Sequence, residues 1–381
     1  MISGLLFTYG LVALVLVMNA LRAPQPPEHR LPPLWLFGMI ASEAAGLWLS
    51  VMVVVTAVAV TAGALVSSIG VTGLVLLAAA ALGQVEIWRR SRTAARRLGR
   101  MVALPAVALH RWVAWGRSLP ADVDRTRHVF AEHPTGPLHL DLYRRSDATS
   151  PAPVVIFVHG GSWRSGHPRQ ASHVTIQHLA RMGWTVAAIE YPLSPTVAFP
   201  EHLVGIDSAI AWIAAQPHLT TPVVLMGVSA GAHLAAISAL TRSDVAALVG
   251  MYGIYDFFNR NRIRVDWPLI PSVVMKATPD DDPDGYRRAS PLDLVHAEAP
   301  PSLIVGGTYD SLVPPEEGRQ FVAALIEAGA QATHIEVSWA QHGFDGMAGP
   351  RARAVAALIG EWLKDTVLED HRSERGGFAD R

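Results

Sequence analysis

The chain has 381 residues, of which 50% are hydrophobic and 17% charged, with no cysteine and a formal net charge of −1. These values exclude a disulfide framework, a thiolate nucleophile and any Cys-based metal site, and they supply no global field that would attract nucleic acid. The charge deficit against the roughly 25% of ordinary soluble domains lies mostly before residue 86, which points to a membrane segment.

Between residues 2 and 20 the only polar side chains are Ser3, Thr8, Tyr9 and Asn19, so this stretch is long and apolar enough to cross a ~30 Å hydrocarbon layer as a helix. A cleaved signal peptide is disfavoured, because no Lys or Arg precedes the apolar run and a further apolar block follows. After a Pro-rich link over 24–33, residues 34–88 carry only Glu43 and Glu86 as charges. That length suits two helices with a turn near Ser67, Ser68 and Gly70. Residues 1–88 are therefore expected to form a transmembrane region with spans at 2–21, 35–61 and 69–88. Glu43 reads as a carboxylate near a helix end that reaches the interface, with an intramembrane functional role as the alternative.

Arg89, Arg90, Arg92, Arg96, Arg97 and Arg100 follow the third span, and Arg22 and Arg30 follow the first. Positive charge flanking a span stays on the cytoplasmic side, so a multi-pass cell-membrane protein with a cytoplasmic catalytic domain is expected. Segment 89–120, with Trp112 and Trp115, reads as a basic amphipathic juxtamembrane linker against anionic lipid; a solvated helix face is the plainer alternative. The spans are expected to govern location more than chemistry.

From about residue 121 short apolar runs alternate with longer amphipathic segments, the pattern of a mainly parallel sheet flanked by helices. The runs at 154–158, 185–189, 223–226, 246–249 and 303–305 suit strands buried on both faces, with a last strand over 333–337. A single α/β domain is expected over 121–367, and the polar segment 368–381 reads as a disordered tail.

Directly after the strand ending at Met226 comes Gly227-Val228-Ser229-Ala230-Gly231, followed by an apolar helical pattern. In that context the motif reads as a nucleophile elbow, a tight turn that strains the serine backbone and exposes its Oγ. Upstream, strand 154–158 runs into His159-Gly160-Gly161-Ser162-Trp163. Backbone N–H groups of Gly160 and Gly161, with that of Ala230, are candidates for an oxyanion hole, while His159 and Trp163 are expected to shape the loop. The acid and the histidine should follow the serine in that order, each after a strand. Asp310 follows the run 303–305, and His342 follows 335–338. The candidate catalytic set is Ser229, Asp310 and His342. No metal-ligand constellation stands out, so no cofactor is expected. The long segment between 252 and 303, rich in Phe257, Phe258, Trp267 and Met275, reads as a cap over an acyl or aryl pocket. Arg260, Arg262 and Arg264 in that segment are compatible with solvent, acidic lipid or an anionic substrate group.

These residues resemble the hormone-sensitive-lipase-like carboxylesterases and the related group of kynurenine formamidases, isoprenylcysteine methylesterases and feruloyl or acetylxylan esterases. The resemblance runs over roughly 138–363. It is carried by 159–163 with Gly166, by 190–195 with Phe199-Pro200, by 227–233, by Asp310 with Val313-Pro314, and by His342-Gly343-Phe344. Ser162 stands where the lipase branch has a third glycine, the form more frequent in the formamidase-like branch, and Pro192 stands where Arg is common. The resemblance implies an α/β-hydrolase fold with a cap insertion and a serine esterase acting on short or medium acyl or lipid-derived esters through an acyl-enzyme. An amidase or formamidase with the same triad is the alternative, and a catalytically silent ligand-binding protein on this fold is the reading from another class. The expected partners are an ester substrate and membrane lipids, without nucleic acid.

Overall fold

The computed structural model describes residues 1–22, 32–102, 119–149, 152–170 and 172–369. The chain divides into two compact units. A helical unit comprises Met1–Gly116, Gly307–Leu312 and Val337–Ala354; a sheet unit comprises Arg117–Gly306, Val313–Glu336 and Val355–Arg381.

Four helices dominate the helical unit: α1 (Ile2–Leu21), α2 (Pro32–Glu43), α3 (Ala45–Thr61) and α4 (Ser68–Met101). By length and composition α1 and α4 could each cross a membrane, and the bent pair α2–α3 would make a third span. The stretch expected as one span over 35–61 is thus two helices set at 84°. Gln84 on α4 accommodates the bend: its Nε2 donates to the carbonyls of Ala41 (2.8 Å) and Ala45 (3.3 Å), either side of the break. A polar amide is tolerated in an apolar bundle where it satisfies such freed backbone groups. Helices α1 and α4 approach through Gly10 and Gly73, where a Cβ on Gly73 would stand 2.6 Å from the Phe7 nitrogen. Small residues at such a crossing let backbones pack closely when hydrophobic exclusion of water is absent. The arginine-rich segment expected as a separate surface helix continues α4 without a break to Met101. Trp112, Trp115 and the Pro-rich link fall outside the described residues.

The sheet has eight strands: β1 (Val123–Ala131), β2 (Leu138–Arg145), β3 (Ala152–Val158), β4 (Thr185–Ile189), β5 (Leu219–Val228), β6 (Val245–Met251), β7 (Ser302–Gly307) and β8 (Ala332–Val337). Their order is β1-β2-β4-β3-β5-β6-β7-β8. Pairing from β4 through β7 is parallel, whereas β1 pairs antiparallel with β2 and β2 with β4. The five apolar runs became β3 to β7, and all of β4 is buried, as strands covered on both faces require. Strands β1 and β2 were not anticipated. Edge strand β1 carries exposed Asp124, Arg125 and Arg127, charges that guard an open edge and hide the strand from a hydrophobicity reading. Helices α5 (His173–Arg181), α6 (Val204–Ala214) and α7 (Ala230–Thr241) make the crossovers from β3 to β6; α8 (Pro283–Arg288) lies in the excursion before β7, α9 (Pro315–Glu327) joins β7 to β8, and α10 (Pro350–Leu363) follows β8. The described chain ends in a helical turn at Lys364–Glu369, and the remainder of the expected disordered tail lies outside the described residues.

Candidate active site

In the sheet unit, Ser229 sits between the carboxyl end of β5 and the first residue of α7 with φ 54° and ψ −123°. A non-glycine residue there carries backbone strain of order 1–3 kcal/mol, which persists only where its surroundings enforce it. Here they do. The Ser229 N–H donates to the Met251 carbonyl at 2.9 Å, and a Cβ on Gly231 would overlap the Val158 carbonyl oxygen. The serine stands at the amino end of a buried helix, where backbone N–H groups and the helix dipole favour developing negative charge.

The loop after β3 lies against this turn: a Cβ on Gly160 would come within 3.1 Å of Ser229 Cβ. Gly161 adopts φ 126°, and Ser162 and Trp163 follow at 53° and 58°. The imidazole of His159 is stacked on Tyr191 with ring centroids 4.5 Å apart, and its Nδ1 pairs with the Gly160 carbonyl at 2.7 Å. Burial pulls its pKa down to about 4, so it is neutral at physiological pH and donates that hydrogen bond. Trp163 is fully buried, and its Nε1 donates to Nδ1 of His233 at 3.2 Å, so His233 Nε2 carries the proton and donates to the Ala289 carbonyl at 2.7 Å. Burial holds His233 at a pKa of about 3. Phe257, from the segment expected as a cap, stacks on His233 at 4.1 Å. His159 and Trp163, expected to shape the loop, are both buried within it. In the sequence His233 stands only as the end of the 227–233 motif, and its bond to Trp163, 70 positions away, becomes visible through the long-range contact.

The arginine cluster resolves as well. Arg264 is buried, with Nε donating to Glu317 at 3.0 Å and a further bond to the Asp256 carbonyl. Arg260 pairs with Asp293 and Asp256, and Arg262 is exposed.

In the helical unit, Asp310 follows β7 and His342 follows β8. His342 Nδ1 is 2.7 Å from Asp310 Oδ2, and the other carboxylate oxygen accepts from the Leu312 N–H at 2.9 Å. Both side chains are buried. A carboxylate at Nδ1 fixes the tautomer that leaves Nε2 as the basic nitrogen. The loop is pinned by Trp339, whose N–H donates to Thr308 Oγ1 at 2.8 Å.

The N-terminal helices supply neighbours that sequence reasoning did not foresee. Trp35 packs edge-on to His342, with centroids 5.5 Å apart and planes at 84°. Arg90 and Arg97 of α4 lie over the Trp339 ring at 5.7 and 5.8 Å. Glu43 does not reach an interface. It is 1% exposed and accepts from Arg351 at 2.5 Å, while Ser42 Oγ accepts from the same guanidinium at 2.7 Å. Burial of a carboxylate demands such a partner, and Arg351 stands 308 positions away, beyond the reach of local pattern.

A mainly parallel sheet with a strained serine after its fifth strand, a glycine loop beside it and an Asp–His pair after the later strands defines the α/β-hydrolase class. The chain belongs to the α/β-hydrolase esterases. The family model BD-FAE matches residues 140–325. Esterase LipC of Mycobacterium tuberculosis is 35% identical over 281 residues, covering 68% of each chain. The probable carboxylic ester hydrolase LipM of the same organism is 32% identical over 265 residues, covering 63% of this chain, which spans 61% of LipM's length. Among solved structures, a Rhizomucor miehei esterase shares the fold at 22% identity and a TM-score of 0.57, covering 74% of this chain and 92% of the other.

Proposed function

We propose that the protein is a membrane-anchored serine hydrolase that cleaves carboxylic esters with short, medium or lipid-derived acyl groups. The observation that carries this reading is the strained Ser229 backbone at the head of α7, with Gly160 packed against it. The Asp310–His342 hydrogen bond supports it. In this reading His342 Nε2 takes the Ser229 proton as Oγ attacks the ester carbonyl, and Asp310 stabilises the imidazolium that forms. The N–H groups of Gly160, Gly161 and Ala230 receive the oxyanion. His342 then returns the proton to the leaving alkoxide, and water, activated by the same base, releases the acid from the acyl-enzyme.

Residues 1–88 are the membrane region in this account, 89–120 the juxtamembrane link, 121–367 the catalytic domain and 368–381 a tail. The arginines following α1 and those at the end of α4 favour a cytoplasmic catalytic domain. Hydrolysis of acyl esters and of N-formyl aromatic amines by the full chain in detergent tests the reading. Esters should turn over faster, and Ser229→Ala and His342→Ala should each lower kcat/KM about a thousandfold or more. Retention of a tenth of the activity by either variant would sink the triad; faster turnover of the formyl amines would redirect the substrate class.

A further inference from the structure

One face of α2 is committed to the histidine loop. Trp35 touches the His342 ring, a Cβ on Gly38 would stand 3.3 Å from Gln341 Nε2, and Ser42 accepts from Arg351. Positions 35, 38 and 42 recur at the i, i+3, i+7 spacing of one helical stripe, so successive turns of α2 meet the segment 341–351. The stripe ends at the buried Glu43–Arg351 pair, where Gly349 also passes close: a Cβ there would lie 3.0 Å from Glu43 Oε2.

We propose that Trp35 is a positioning residue for His342, with the Glu43–Arg351 pair as the latch that keeps α2 in place. This rests on the triad reading above. The hydrogen bond to Asp310 holds one ring nitrogen, and the indole of Trp35, edge-on to the imidazole, adds a packing contact against the ring itself. The contact therefore sets where Nε2 points. Placement at this precision matters to rate, because small displacements of a catalytic group cost one to two orders of magnitude. The N-terminal helices are then part of the catalytic apparatus as well as an anchor.

The test is the rate of covalent labelling by a fluorophosphonate, with steady-state hydrolysis of a water-soluble ester, in the full chain and its Trp35→Ala and Trp35→Phe variants. Labelling at saturation counts folded sites, so a misfolded fraction drops out. Trp35→Ala should slow labelling and kcat about tenfold or more while KM stays within about twofold, and Trp35→Phe should restore most of the loss. Labelling of Trp35→Ala at the wild-type rate, or an equal loss in Trp35→Phe, would overturn the inference alone. No labelling of the wild type would overturn it together with the serine-hydrolase reading.

Discussion

Around Ser229 the geometry is held by backbone: a strained φ, an N–H to the Met251 carbonyl, and glycines where any Cβ would collide with main chain. Around His342 backbone bonds such as Tyr309 N–H to the Ala340 carbonyl are joined by side chains drawn from remote sequence. Trp35 meets the imidazole, Glu43 neutralises Arg351, and Arg90 and Arg97 flank Trp339. A backbone-built site tolerates change in distant side chains and fails when a Cβ is added. A region that relies in addition on remote side chains should also be sensitive to their loss.

The largest effect that separates the two is expected at Gly231. Valine there would drive a side chain into the Val158 and His159 carbonyls, and overpacking of a rigid turn costs about 3 kcal/mol or more. Chemical denaturation of the sheet unit's tryptophan signal should register that loss. A Gly231→Val protein as stable as wild type would show that the elbow is not backbone-limited.

A smaller effect is expected from pH. His159 and His233, both beside the elbow, are held neutral with pKa values of about 4 and about 3 by burial. A histidine depressed in the folded state stabilises the fold above its unfolded pKa, and that contribution is lost as pH falls towards the folded value. Between pH 6.5 and 4 stability should therefore decline by up to roughly 1.4 kcal/mol per pH unit for each such group. The unfolding midpoint measured across this window should fall less steeply in His233→Gln. An identical slope in the variant would remove His233 from the account.

The same contrast explains what the sequence disclosed. The residues proposed for the site, Ser229, Gly160, Gly161, Ala230, Asp310 and His342, stand out in the sequence because strand, turn and helix signals lie within a few residues of each. The parallel strands were legible because burial on both faces leaves unbroken apolar runs. Charged β1 was not, since its side chains answer to an exposed edge. Glu43 was misread as an interfacial carboxylate because its partner is Arg351, a pairing that no local spacing announces. Trp35 was hidden for the same reason, reading as one more apolar residue at the start of a span. The bend between α2 and α3 was missed because Gln84, which satisfies the freed carbonyls, lies some 40 positions on.

Hydrogen exchange in the full chain, compared between wild type and Arg351→Met, bears most directly on the claim that the N-terminal helices hold the histidine loop. Removing the guanidinium leaves Glu43 buried without its partner, a change worth about 3–5 kcal/mol when one member of a buried pair is lost. Local opening should then rise where the latch acted. The account predicts faster exchange in peptides covering 337–349 and unchanged exchange across 227–241. Unchanged exchange at 337–349, or an equal rise at the elbow, would contradict it.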